Sequence, residues 1–145
     1  MRVIVDANLV FSAILNTNGK IADLLVNADK LELIAPNFLR VEVKKYHTKL
    51  MKISKLSLEE VEEIEFQLEK NIKFISEELI DDWAWVKAFE LTNGIDEKDT
   101  PYIAFCLFFD CKVWTGDKKL MTGLAKKDFY ELIMTNELHE IIRAS

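Results

Sequence analysis

Four carboxylates stand where a sheet would end. Asp6 directly follows Arg2-Val3-Ile4-Val5, a short run rich in β-branched residues that reads as a buried strand. Asp117 follows Lys112-Val113-Trp114, a second such run, through Thr115-Gly116. Asp99 precedes the strongly apolar stretch Pro101–Phe109, which leads into that second run. Glu42 lies about two turns into the helical pattern after a further apolar run, Leu31–Ala35. If these runs are parallel strands joined by right-handed crossovers, Asp6, Asp99 and Asp117 reach the carboxyl edge of one sheet. Glu42 can face the same crevice.

Each carboxylate also has a structural explanation. Asp6 and Asp117 suit helix N-caps. Asp99 suits the position outside a Thr100 cap, with Pro101 at the first helical position. Glu42 suits a solvated helix face near Lys45. Capping does not explain four carboxylates at one edge, because crowded like charges repel unless a cation neutralises them. Oxygen donors without His or Cys suit a hard ion, Mg²⁺ or Mn²⁺. Such an ion lowers the pKa of a bound water and stabilises charge on a phosphodiester, so phosphodiester hydrolysis is the reaction class that follows.

The elements that must position these groups alternate. Strands are expected at residues 2–5, Leu31–Ala35, Lys73-Phe74-Ile75, Lys112-Val113-Trp114 and Leu132-Ile133-Met134. Between them lie helical patterns at Leu9–Leu15, Ile21–Ala28, after Pro36, from Ser57, at Glu78–Leu91, Pro101–Phe109 and Asp117–Ala125, with a closing helix from about Asn136 to Arg143. Ser57-Leu58-Glu59-Glu60 fits a capping box. The helix behind it carries Leu58, Val61, Ile64, Phe66 and Leu68 on roughly one face. This alternation predicts a three-layer α/β/α sandwich around a mostly parallel sheet of about five strands. Ligands collect outside the carboxyl ends of such strands.

Composition narrows the choice of function. The chain has 145 residues, with 19 Lys and Arg against 25 Asp and Glu, a formal charge of −6. One domain spanning 1–145 is the expectation. A globally basic nucleic-acid surface is excluded, though a local basic patch is not. Arg40, Lys44, Lys45 and Lys49, and Lys118, Lys119, Lys126 and Lys127, are candidates for phosphate contacts or for an ordinary solvated surface. Trp83, Trp85, Phe89, Phe105, Phe108 and Phe109 lie in apolar helical patterns and are expected in the core. Met51 and Ile53 are candidate partner contacts if exposed. Cys106 and Cys111 read as small hydrophobes rather than a disulfide framework, and His47 and His139 are too dispersed for a zinc site. The longest apolar run is Tyr102–Phe109, far short of the ~20 residues that span a membrane. No signal-peptide pattern opens the chain, so a soluble cytoplasmic protein is expected.

Taken in order, the motifs resemble those of the PIN-domain family, and of its VapC-like toxin ribonucleases in particular. The resemblance rests on Val5-Asp6-Ala7-Asn8-Leu9-Val10-Phe11-Ser12-Ala13, on Glu42 within Leu39-Arg40-Val41-Glu42-Val43, on Asp96-Glu97-Lys98-Asp99-Thr100-Pro101-Tyr102-Ile103-Ala104, and on Trp114-Thr115-Gly116-Asp117-Lys118-Lys119-Leu120. It implies a metal-dependent endoribonuclease with Mg²⁺ or Mn²⁺ as cofactor, Asp6, Glu42, Asp99 and Asp117 being both catalytic residues and metal ligands. Asp96 is a further candidate ligand or the holder of an outer water. Asn8 and Ser12 would orient Asp6 or a water, and Thr115 would support Asp117. An RNA substrate, an antitoxin partner and a homodimer are implied as well.

Two other readings compete. One is a catalytically weak PIN-like module that binds RNA or protein; the presence of all four carboxylates argues against it. The other is a phosphate- or nucleotide-binding regulator. The chain has neither a G-x-G-x-x-G loop nor a P-loop, and the third strand ends in Ile75-Ser76-Glu77 without the Asp of a phosphoacceptor.

Overall fold

Val3, Ile4 and Val5 have no exposed surface, which places the first strand at the centre of the molecule. A strand buried on both faces is apolar throughout and belongs to a parallel sheet covered by helices. The computed structural model describes residues 1–145 and builds that arrangement. Its order is β1 (Arg2–Val5), α1 (Ala7–Leu15), α2 (Lys20–Asn27), β2 (Glu32–Pro36), α3 (Phe38–Lys45), α4 (His47–Ser54), α5 (Leu58–Glu69), β3 (Ile72–Ile75), α6 (Asp82–Thr92), α7 (Thr100–Phe109), β4 (Lys112–Trp114), α8 (Lys118–Ala125), β5 (Leu132–Ile133) and α9 (Thr135–Ala144).

All five strands are parallel, in the order β3-β2-β1-β4-β5. The chain leaves β1 toward β2 and β3, then crosses back to β4 and β5. The reversal falls between β1 and β4, where Val5 stands beside Trp114. A parallel sheet opens a crevice at that point, just beyond the carboxyl ends of the two strands. Asp6 and Thr115 are the next residues of the two strands.

Helices α1 to α5 pack among themselves, with α9 against α2, while α6 pairs with α7, which lies across β1, β2 and β4. Trp114, Tyr102 and Phe105 are the largest wholly buried side chains and knit α7 to the sheet. Burial of each such side chain contributes about 1.5–3 kcal/mol.

Several elements depart from the sequence expectation. Pro36 closes β2 opposite Ile75 instead of opening a helix. The helix after it divides at Tyr46 into α3 and α4, and α4 stops where Lys55 turns left-handed at φ 63°. The expected helix Glu78–Leu91 is a 3₁₀ turn at Glu77–Leu79 followed by α6, with Ile80 buried between them. Helix α8 starts at Lys118, with Asp117 as its cap rather than its first residue. Only Leu132 and Ile133 pair as β5, and α9 starts at Thr135.

Burial differs too. Phe105 is core, but Trp83 is 54% and Phe89 50% exposed, because Ala84, Ala88 and Leu91 already supply the buried stripe of α6. On α5, Val61, Ile64 and Leu68 follow the three-and-four spacing and pack inward. Phe66 falls between those positions and stands in solvent.

Candidate active site

Asp6 ends β1 and caps α1, its Oδ1 accepting from Asn8 N–H at 3.2 Å. Its other oxygen, Oδ2, accepts from the Thr115 hydroxyl at 2.7 Å. The Thr115 oxygen in turn accepts from Asp117 N–H at 3.1 Å, and Asp117 Oδ1 caps α8 through Leu120 N–H at 3.0 Å. One buried hydroxyl therefore ties the ends of β1 and β4 together across the crevice. The capping explanation holds for Asp6 and Asp117, and it is compatible with a chemical role, because a cap fixes where the carboxylate stands.

Asp99 closes the 3₁₀ turn Glu97–Asp99 and leads into α7, with Pro101 in that helix's first turn. It is buried, and its Oδ2 has no hydrogen-bond partner. An orphaned carboxylate oxygen in a protein interior is costly and calls for a ligand or function. Glu42 projects from α3, and Tyr102, one turn beyond Asp99 on α7, donates its hydroxyl to Glu42 Oε1. The start of α3 is fixed from a distance, since the Glu77 carboxylate accepts from Asn37 N–H at 3.2 Å and Phe38 N–H at 3.0 Å.

These groups share one pocket of about 460 Å³, lined by Asp6, Asn8, Glu42, Asp96, Asp99 and Asp117, with Lys49 and Lys98 among its other walls. Asp96 stands at the exposed rim and caps its own turn through Lys98 N–H at 3.0 Å. Electrostatics report the same convergence. Burial raises the Asp99 carboxyl to about 8, and repulsion from Asp6, Asp96, Asp117 and Glu42 adds to the rise. Burial likewise raises Asp6, against the Thr115 and Asn8 hydrogen bonds, and raises Glu42, against the Tyr102 hydroxyl.

The residues fit a hard divalent cation in chemistry: carboxylate oxygens, no sulfur or imidazole, and one buried oxygen without a partner. Nowhere in the molecule do three or more His, Cys, Asp or Glu side chains already close on a common ion point.

Ser12 does not join the site. It is exposed and lines a separate hollow with Asn16, Lys20 and Thr135. Asp6 takes its two hydrogen bonds from Thr115 and Asn8 N–H instead. Arg40 is also committed elsewhere: its guanidinium lies 3.7 Å over the Phe74 ring and its Nε donates to Glu69 at 3.4 Å. Sequence reasoning missed the role of Tyr102, whose position three residues after Asp99 is the only trace it leaves. It also missed Lys98, Phe11 and Tyr46 in the pocket wall, where the two aromatic rings meet edge-on at 5.1 Å.

The architecture has known counterparts. A protein from Pyrobaculum aerophilum, PAE2754, superposes with a TM-score of 0.70 at 12% identity, over 100% of this chain and 91% of its own. VapBC2 from Rickettsia felis, solved bound to a DNA fragment from its promoter, superposes with a TM-score of 0.67 at 12% identity, over 92% of this chain and 97% of that one. At this identity the likeness concerns the fold. No curated protein sequence matches the chain. The family model for the PIN domain matches residues 4–139, from the heart of β1 to the middle of α9, and so takes in every carboxylate of the pocket; the chain belongs to the PIN-domain family.

Proposed function

We propose that the protein is a Mg²⁺- or Mn²⁺-dependent endoribonuclease, the toxin of a toxin–antitoxin pair, acting in the cytoplasm and folded as a single domain over 1–145. The observation that carries this reading is the unpartnered, buried Asp99 Oδ2 in a pocket walled by Asp6, Glu42, Asp96 and Asp117. Asp6, Glu42, Asp99 and Asp117 would hold the cation, with Asp96 at the rim in reach of an outer water. When bound, the cation neutralises phosphodiester charge and polarises a phosphoryl oxygen.

The chain's own groups set the stage for that chemistry. Thr115 holds the Asp6 carboxylate and the Asp117 backbone amide side by side. Tyr102 holds Glu42 facing the pocket. Asn8 offers an amide at the mouth, and Lys98 and Lys49 bring positive charge to an otherwise acidic wall. Membership of the family supports nuclease chemistry, and similarity to a VapBC2 structure supports an antitoxin partner. A homodimer belongs to the same proposal. Leu79, Trp83, Val86 and Phe89 form an exposed apolar stripe along α6 and the turn before it.

The test is cleavage of single-stranded RNA by purified protein in Mn²⁺. Cleavage stops in EDTA and in Asp6→Asn, and calorimetric Mn²⁺ binding is lost in that variant. Cleavage that persists in EDTA, or unchanged in Asp6→Asn and Asp99→Asn, contradicts the mechanism. Absence of Mn²⁺ binding at millimolar concentration favours the catalytically weak binding module.

A further inference from the structure

The sign of the surface reverses immediately beside the acidic pocket. A groove of about 730 Å³ runs between α8 and the turn that follows α6. Four of its nine lining residues are Lys118, Lys119, Lys126 and Lys127, and none is Asp or Glu. In a chain where acids outnumber bases 25 to 19, an acid-free groove with four lysines is a marked local excess.

Three features suit the groove to an extended polyanion. First, the lysines are free to bind. The ion pairs of the molecule involve other residues, leaving Lys118, Lys119 and Lys126 unpaired. Lys127 is held instead by carbonyls at the end of α6, donating to Glu90 O at 2.9 Å and Asn93 O at 2.7 Å, so its charge is fixed in place. Second, the groove meets the pocket along two edges. Lys118 follows Asp117 and Ile95 precedes Asp96, each pair split between the two cavities. Third, the groove has no aromatic ring and one hydrophobic residue, Ile95. Gly94, at φ +83° with open space where a Cβ would stand, leaves the turn flat. Such a surface offers charge without stacking platforms or base-reading side chains, so it can position a phosphate backbone but not read sequence.

We propose that this lysine groove binds the phosphates of single-stranded RNA flanking the bond that lies in the acidic pocket, and feeds the strand into it. The inference rests on the ribonuclease reading above. It assigns recognition of the backbone to α8 and the turn after α6, and leaves any base preference to the opposite wall, where Phe11 and Tyr46 stand.

The experiment is fluorescence anisotropy with a labelled single-stranded RNA in EDTA, where cleavage does not interfere. Wild type is compared with Lys118→Gln/Lys119→Gln/Lys126→Gln and with a charge-matched control, Lys52→Gln/Lys55→Gln/Lys70→Gln. The groove variant is expected to bind at least about tenfold more weakly near 0.1 M salt, with the slope of log K against log salt shallower by about 2, as loss of three phosphate contacts predicts. The control should keep the wild-type slope. Equal losses in both variants, or a wild-type slope in the groove variant, overturn the proposal. So does a tighter, lysine-dependent affinity for duplex DNA than for RNA. Cleavage in Mn²⁺ separates the two readings. Active wild type with unaltered binding by the groove variant sinks the groove alone. Lysine-dependent RNA binding without any Mn²⁺-dependent cleavage sinks the nuclease and leaves the groove standing.

Discussion

Thr115 is wholly buried and serves the Asp6 carboxylate and the Asp117 backbone at once. Its hydroxyl donates to Asp6 and accepts from the Asp117 backbone. Thr115→Val keeps the shape and removes both bonds. Asp6 Oδ2 is then left without its donor in the interior, a loss of about 1–3 kcal/mol in urea unfolding. Groups that orient metal ligands affect affinity by about 10–100-fold, so Mn²⁺ binding by calorimetry should weaken within that range. A variant with wild-type Mn²⁺ affinity would show that Asp6 needs no such orientation. Asp6, Asp99 and Asp117 were legible in the sequence because they sit at strand ends and helix starts, positions that local pattern fixes. The Tyr102–Glu42 bond spans 60 residues and follows from how α3 packs on α7, which no local pattern records. Ser12 was misplaced because a spacing along the chain does not say which side of α1 faces the crevice.

At the scale of elements, Gly123 lets α8 pack closely on the turn that carries Ile95. A Cβ there would lie 2.8–2.9 Å from three carbons of Ile95, the residue before Asp96. Helix propensity favours Ala over Gly by about 0.5–1 kcal/mol. Overpacking costs about 1–3 kcal/mol, so crowding is expected to win and Gly123→Ala should lower the urea midpoint. Adding Ile95→Ala should relieve the clash and recover part of the loss. A midpoint that rises in Gly123→Ala would mean that Ile95 yields freely. No local pattern records this packing, because its reason lies on another element. Pro36 is a similar case: the strand it ends is defined by pairing with β3, while α3 takes its cap from Glu77, 40 residues away. The strands themselves were legible, since Val3-Ile4-Val5 and Leu33-Ile34-Ala35 are apolar on both faces as a central parallel sheet requires. The exposed stripe of α6 was not, because apolar periodicity marks a face without saying what covers it.

At the scale of the whole molecule, two buried carboxyls set the response to pH. Burial, with repulsion from its neighbours, raises Asp99 to about 8. Burial and the adjacent Glu65 carboxylate raise Glu69 to about 8, outweighing the Arg40 guanidinium. A carboxyl with a raised folded-state pKa binds its proton more tightly in the native protein than in the unfolded chain. Its favourable contribution is complete below the unfolded value near 4 and is lost as pH climbs through about 8. The melting temperature in EDTA should therefore fall between pH 5 and pH 9. Asp99→Asn and Glu69→Gln should each flatten part of that fall. Mn²⁺ should restore stability most at the alkaline end, where Asp99 no longer holds a competing proton. A flat or rising profile in EDTA would contradict both assignments.

The hydrogen bond from Thr115 to Asp6 joins residues 109 positions apart, across strands that only a completed sheet brings side by side. A ribosome making this polypeptide delivers Asp6 long before Thr115 and Asp117. Until they emerge, β1 lacks the neighbour that forms the far wall of the crevice. On the nuclease reading, the nascent chain is thus harmless to the messenger it is being translated from, and any premature stop before Thr115 releases a fragment that cannot cut.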